Sequence, residues 1–266
     1  MHGHQARKRF GQNFLADAHY VGRIVDAVAP HPGDNLVEIG PGLAALTGDL
    51  VARAGHISAV EIDRDLAARL RERFTPAQLT LYEADALAFD FAQLGPALRV
   101  VGNLPYNISS PLLFLLAGLD AQVCDLHVML QREVVARMTA APGTADYGRL
   151  TVMLQVRFRI ARLFVVPPGA FRPAPKVESA VARLTPLGPD QPALTDAVLF
   201  GQVVAAAFAQ RRKTLRNALS NVAGVDALRA AGIDPSARGE TLAVADFVRL
   251  ANLLAAAGAR GSPADS

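Results

Sequence analysis

Asn35-Leu36-Val37-Glu38-Ile39-Gly40-Pro41-Gly42-Leu43-Ala44-Ala45 is the stretch on which the fold turns. A short apolar run gives way to two glycines around a proline, and a helical pattern, Ala44 to Ala54, follows. Strand, glycine turn and helix in that order open a βαβ unit. The glycines let a ligand approach the backbone closely, and the helix N-terminus offers free N–H donors. The alternation continues to about residue 130. Ile57 to Ile62, Leu79 to Glu83, Leu98 to Gly102 and Leu126 to Leu130 read as strands, with Asp65 to Phe74 and Pro111 to Leu119 as helices. This predicts an α/β domain, a parallel sheet with helices on both faces.

Further along, Val166-Pro167-Pro168-Gly169-Ala170-Phe171-Arg172-Pro173-Ala174-Pro175 carries four prolines and reads as an extended loop. Val177 to Leu184 alternates like a closing strand, and Pro186 to Pro192 resembles an interdomain linker. Beyond it, Asp196 to Gln210, Thr214 to Ala223, Val225 to Ala231 and Val244 to Ala256 show helical spacing without strand signals. The expected division is therefore a catalytic α/β domain over residues 1–186 and a small all-helical domain over 187–266, with a disordered tail after about residue 258.

With 266 residues and 51% hydrophobic content, the chain can bury a substantial core. No apolar run approaches the roughly 20 residues that span a bilayer, and no signal segment opens the chain, so a cytoplasmic protein is expected. The single cysteine, Cys124, excludes an internal disulfide framework and a cysteine-based zinc cluster, and its apolar surroundings predict burial. No metal site is expected, and a monomer is. A net charge of +3 alone does not argue for a polyanion partner. Its distribution is more informative: Arg7-Lys8-Arg9 and Arg211-Arg212-Lys213 with Arg216 form two clusters able to meet phosphates, or simply solvated faces.

Asn103-Leu104-Pro105-Tyr106 follows the strand at Leu98 to Gly102, where ligands of open α/β sheets bind. An exocyclic amine on adenine is a poor nucleophile because its lone pair is delocalised into the ring. The Asn103 amide oxygen and the Leu104 carbonyl could accept its two hydrogens and localise that pair, while Tyr106 stacks on the base. Pro105 stiffens the platform. By itself the tetrapeptide is also an ordinary turn sequence.

Gly40 and Gly42 imply an adenosine-containing cofactor, with Glu61, about 20 residues beyond Gly42, placed to bind ribose hydroxyls. Gly40 to Ala45 also fits G-x-G-x-x-A, so a nicotinamide dehydrogenase is a rival. Pro41 removes an N–H from a pyrophosphate loop and Glu38 adds a negative charge there, which suits the cationic end of S-adenosyl-L-methionine better. Asp85 could accept from the cofactor's adenine amine, or could cap the following helix.

Taken together these residues closely resemble the KsgA-type ribosomal RNA adenine dimethyltransferases. The resemblance runs from about Arg7 to Leu254 through Arg9-Phe10-Gly11-Gln12-Asn13-Phe14-Leu15, Glu38 to Gly42, Glu61-Ile62-Asp63, Asp85-Ala86, Gly102 to Ser109, Phe171 to Val177 and Arg211 to Leu215. It implies a Rossmann-like class I S-adenosylmethionine-dependent methyltransferase fold. The activity implied is dimethylation of the N6 amines of two adjacent adenosines near the 3′ end of small-subunit rRNA, with a role in ribosome biogenesis.

Carried over by position, the cofactor contacts fall on Asn13, Leu15, Gly40, Glu61, Asp85 and Asn103, with the N-terminal segment folding over the cofactor. Asn103, Leu104, Tyr106 and Phe171 form the catalytic set. Phe171 would stack on the flipped base opposite Tyr106, core packing being its alternative. Lys176, Arg211, Arg212, Lys213 and Arg216 would meet RNA phosphates. The chain is short, lysine-poor and arginine-rich for the family, departures that remove no catalytic part. Two rival functions remain: a large-subunit rRNA adenine methyltransferase of the antibiotic-resistance type, and a mainly non-catalytic assembly checkpoint factor.

Overall fold

The computed structural model describes residues 13–210 and 212–260. The chain divides into two compact units. One comprises the residues up to Val135 together with Arg159–Pro186; the other comprises Ala136–Phe158 and the chain from Leu187 onward. Pro186, where the second stretch of the α/β unit ends, is the first residue of the proline-rich segment. The helical unit also takes in Ala136–Phe158, which the sequence reading had assigned to the α/β domain. That segment holds Tyr147, Val152 and Val156, apolar residues whose packing partners lie far along the chain.

The α/β unit begins with β1 (Phe14–Leu15) and α1 (Ala18–Val28). Asp17 caps α1 by accepting from the His19 amide, and Ile24, Val25 and Val28 form its buried stripe. Then come β2 (Asn35–Ile39), α2 (Thr47–Ala54), β3 (Ile57–Glu61), α3 (Arg64–Arg73), β4 (Leu79–Glu83), β5 (Leu98–Asn103), α4 (Ser109–Ala117) and β6 (Val123–Gln131). Helix α2 starts three residues later than the sequence pattern suggests. Gly40, Gly42 and Ala44 all adopt positive φ, 67°, 59° and 64°, so the backbone cannot be helical until the turn is complete. After α5 (Arg132–Met138) and α6 (Arg149–Gln155), β7 (Phe158–Val166), β8 (Phe171–Arg172) and β9 (Ser179–Pro186) complete the strands. The proline-rich loop is thus interrupted by β8, which pairs antiparallel with β1.

The main sheet has the order β4-β3-β2-β5-β6-β9-β7. Its first five strands are parallel, and β9 lies antiparallel on β6. The order reverses between β2 and β5, which makes the carboxyl ends of these two strands the topological switch point. Alternation along β5, β6 and β9 puts Val101, Met129 and Val181 on one face, in a core with Ile24, Val25 and Val28 of α1 and with Phe171. At the amino end of β5 Arg99 bonds to Asp34, Asp125 and the Val28 and Ala29 carbonyls, tying α1 and β6 to β5. Cys124, expected to be buried, is exposed. It is the second residue of β6, and unbroken burial along that strand begins only at Leu126.

The second unit contains α6, α7 (Ala197–Ala209), α8 (Leu215–Ala218), α9 (Val225–Ala230) and α10 (Val244–Arg260). Phe200, Val203, Leu215, Leu228, Phe247 and Leu250 are fully buried in its own core. The expected helix from Thr214 to Ala223 is shorter, because Leu219 leaves the helical region after one turn. The expected disordered tail begins within α10 and continues into residues 261–266, which lie outside the described residues. No helix among the described residues is long and apolar enough to cross a membrane.

Candidate functional site

At the switch point the carboxyl ends of β2, β3 and β5 open onto a cavity of about 260 Å³. Asn13, Leu15, Gly40, Glu61, Asp85, Asn103, Leu104 and Tyr106 all line it. Every cofactor position expected from sequence is therefore brought to one place, together with three of the four expected catalytic residues.

The glycine turn forms the floor. The Gly40 amide donates to the Val60 carbonyl, and the Gly42 amide donates to Glu61 Oε2 at 3.1 Å. Glu61 Oε1 accepts from the Asp63 amide at 2.9 Å. Both carboxylate oxygens are thereby aimed by the backbone, and each keeps a further lone pair for a hydroxyl. Burial raises the Glu61 pKa, opposed by backbone hydrogen bonds from Asp63, Gly42 and Ile62 and reinforced by the Asp63 charge. Glu38 is more extreme: only 3% exposed, it accepts from Thr47 Oγ1 at 2.7 Å. Burial, opposed by that bond and reinforced by Glu61, pushes its pKa up to about 7. Two adjacent carboxyls in an apolar surrounding make a site that favours a cation.

Asn103 ends β5, and its Nδ2 donates to the Asn13 main-chain oxygen at 3.0 Å. That fixes the amide with Oδ1 as its remaining group, an acceptor. The Leu104 amide donates to the Met129 carbonyl on β6 at 3.1 Å, so its peptide plane is held too. No described residue donates to the Leu104 carbonyl. Gly102 explains how close the platform can lie to β2. A Cβ there would stand 2.7 Å from the Ile39 carbonyl oxygen and 2.9 Å from Leu104 Cδ2, so only glycine fits. Tyr106 is half-buried, with its hydroxyl 2.7 Å from Ser179 Oγ.

Asp85 stands at the cavity, and the segment after it, residues 86–88, is a turn and not the helix that a cap would imply. Its Oδ1 accepts from the Leu87 amide in that turn. Phe14, Ile62, Ala86 and Ile108 also line the cavity; they stand inside the motifs quoted above but carry no expected site role. Ile62 is 45% exposed, a large apolar side chain left open just after β3, and that exposure is set by the fold and not legible in the sequence.

Phe171 corrects an expectation. It is fully buried in the α/β core, pairs with Leu15 across β8 and β1, and does not line the cavity. It has no free face for a base, because the short β1–β8 ladder turns it inward. Lys176 is exposed and outside the cavity lining. In the helical unit Arg212, Lys213 and Arg216 are exposed and form no ion pair among the described residues. Arg211, Arg7, Lys8 and Arg9 lie outside the described residues. Among the described residues no cluster of three His, Cys, Asp or Glu side chains is arranged to hold a metal.

The ribosomal RNA adenine dimethylase family model matches residues 3–256. A protein of Aromatoleum aromaticum named ribosomal RNA small subunit methyltransferase A is 61% identical over 96% of this chain and 97% of its own. The protein of the same name from Bordetella pertussis is 57% identical over 98% of both. Among solved structures, a dimethyladenosine transferase from Plasmodium falciparum superposes with a TM-score of 0.77, covering 89% of this chain and 95% of that one. At 24% identity it speaks to the fold alone. The 23S rRNA methyltransferase ErmE superposes with a TM-score of 0.68 at 28% identity, covering 91% and 99%. The fold is thus that of the Rossmann-like class I methyltransferases with added C-terminal helices. A glycine-turn cavity with buried carboxyls, an acceptor-only platform at Asn103 and Leu104, and a match across nearly the whole sequence lead to one conclusion: this chain belongs to the ribosomal RNA adenine dimethylase family.

Proposed function

We propose that this protein uses S-adenosyl-L-methionine to dimethylate the N6 amines of two adjacent adenosines in the 3′-terminal helix loop of small-subunit (16S) rRNA, as a cytoplasmic monomer acting during ribosome biogenesis. The observation that carries the chemistry is the pair of acceptors at the end of β5. Asn103 Oδ1 and the Leu104 carbonyl are each fixed from behind and have no donor among the described residues.

The cavity residues fit the cofactor. Glu61 and Asp85 suit ribose hydroxyls and an adenine amine, and Glu38 and Glu61 suit positive charge. When bound, S-adenosyl-L-methionine supplies an electrophilic methyl. Asn103 and Leu104 accept the two hydrogens of the target amine, which draws nitrogen toward a tetrahedral shape and localises its lone pair. As nitrogen takes the methyl and gains positive charge, the electrons of the broken S–C bond would stay on sulfur, both carbonyl dipoles stabilise the nitrogen, and its surplus proton then leaves to water, so no strong base is needed. Tyr106 provides the stacking face for a base swung out of its helix. After the first transfer one N–H remains, so one acceptor faces a methyl group in the second round. Arg212, Lys213 and Arg216 hold phosphate, which adds affinity rather than sequence choice.

The small-subunit target is favoured over a large-subunit one by relatives at 57–61% identity named for the small subunit, against 28% for ErmE. The intact platform disfavours a purely non-catalytic checkpoint role. The test is to incubate the protein with labelled S-adenosyl-L-methionine and, separately, undermethylated small subunits, large subunits or DNA, then to map the modified base. Two dimethyladenosines in the small subunit are expected. Label confined to large subunits or DNA, or no label at all, would overturn the reading.

A further inference from the structure

Ser179 has no part in the chemistry above, yet it is fully buried, and among the described residues its side chain has one hydrogen-bond partner, the hydroxyl of Tyr106, 2.7 Å away. Tyr106 and Ser179 reach each other across three strands' worth of structure. Tyr106 stands in the turn after β5; Ser179 opens β9, which lies beyond β6 in the sheet. Ser179 is rigidly placed. Its backbone is in register with Gln131 on β6, and the next residues along each chain reinforce the position, with the Arg132 amide donating to the Glu178 carbonyl at 2.9 Å.

Tyr106 is held at its other end as well. The Ile108 amide donates to the Pro105 carbonyl, and Ser109 Oγ donates to the Tyr106 carbonyl at 3.1 Å. The backbone end is therefore fixed by its own turn and the hydroxyl end by β9. Between them the ring loses the freedom that a terminal sp³–sp² torsion otherwise has. The phenol is also kept neutral, since burial raises its pKa. Ser179 takes up one of its hydrogen-bonding positions.

We propose that Ser179 is a positioning residue: it clamps the Tyr106 hydroxyl so that the ring stands ready, at a fixed tilt beside Asn103 and Leu104, as the stacking face for the target adenine. This assigns the second support of that ring to a serine of β9. The inference rests on the base-stacking reading of Tyr106. Preorganisation of this kind acts on the productive pose of the base and leaves cofactor binding alone.

The experiment is a double-mutant cycle on single-turnover methylation of small subunits, with Ser179→Ala, Tyr106→Phe, the double variant, Ser179→Thr and Tyr106→Ala. S179A and Y106F should each lower the rate by roughly five- to tenfold, the worth of one ordinary hydrogen bond. The double variant should be no worse than either single one, S179T should restore most of the rate, and the dissociation constant for S-adenosyl-L-methionine should stay constant throughout. Losses that multiply in the double variant, or an S179A rate equal to the parent's, would overturn the clamp. A merely structural serine would lower thermal stability and cofactor affinity without coupling to Tyr106. Y106A separates the two layers of the argument. If Y106A is nearly inactive while S179A and Y106F are normal, only the clamp fails; if Y106A is also normal, the stacking reading fails with it.

Discussion

Asn103 donates from Nδ2 to the main-chain oxygen of Asn13 at 3.0 Å, which ties the reacting end of β5 to the segment that leads into β1. The bond decides which way the amide faces, and so which atom meets the substrate. It also lets one side chain serve two ends: its nitrogen holds the cavity wall, and its oxygen is left to accept from the target amine in the function proposed above.

Replacing Asn103 tests both ends. Asn103→Ala should lower turnover by roughly two to three powers of ten, by analogy with loss of one charge-stabilising group in other active sites. Asn103→Asp retains an acceptor but sets a second oxygen against the Asn13 carbonyl. Cofactor affinity, read by calorimetry, should fall along with turnover. An Asp variant that binds cofactor as tightly as the parent would mean that the Asn13 contact is dispensable.

Glu38 should leave a mark on the pH dependence of stability. Its pKa is raised from 4.5 to about 7, so between these values the folded protein holds a proton that the unfolded chain has lost. Stability from this group is fully present below about pH 4.5 and disappears as pH rises through about 7, on the order of 3 kcal/mol in all. Glu61 shifts in the same direction. Glu38→Gln in the cofactor-free protein should therefore raise the melting temperature at pH 8 and change it little at pH 5. Equal effects at both pH values would show that Glu38 titrates normally.

Phe171 offers a clean contrast between core and site. As a fully buried ring it should cost about 3–5 kcal/mol on truncation to alanine, whereas leucine should be tolerated with modest loss. Methylation by Phe171→Leu, corrected for folded fraction, should remain within a few-fold of the parent. A Leu variant that is fully folded and inactive would restore the stacking role.

Arg212, Lys213 and Arg216 are exposed and free of ion pairs among the described residues. Changing all three to alanine should weaken binding to small subunits and flatten the dependence of log affinity on log salt, while cofactor binding stays unchanged. A slope identical to the parent's would remove these residues from the RNA interface.

Much of this was written locally. The strands Asn35–Ile39 and Leu79–Glu83 follow from short apolar runs with turn residues at their ends, and the glycine turn and Asn103 platform from motif and position. Other elements escaped because their patterns were weak or misleading. One is β7, which reads Phe-Arg-Ile-Ala-Arg-Leu-Phe-Val-Val, with arginines on an edge strand; helix α1 differs, since its Asp17 cap and the apolar stripe of Ile24, Val25 and Val28 are signals present in the sequence.

The sequence by itself determined which chemistry is present: acceptors without a base at Asn103 and Leu104, carboxyls around a glycine turn, and the order of strands and helices that brings them to one sheet edge. Only the tertiary structure decided the orientation of the aromatic rings. Phe171 and Tyr106 are both aromatic residues in motifs near the site. What separates them is long-range: β8 pairs with β1 and turns Phe171 into the core, while Ser179, 73 residues from Tyr106, holds that ring at the cavity wall. Residue type carries donors, acceptors and ring faces, but the direction in which a side chain points is set by partners that are neighbours only once the chain has folded.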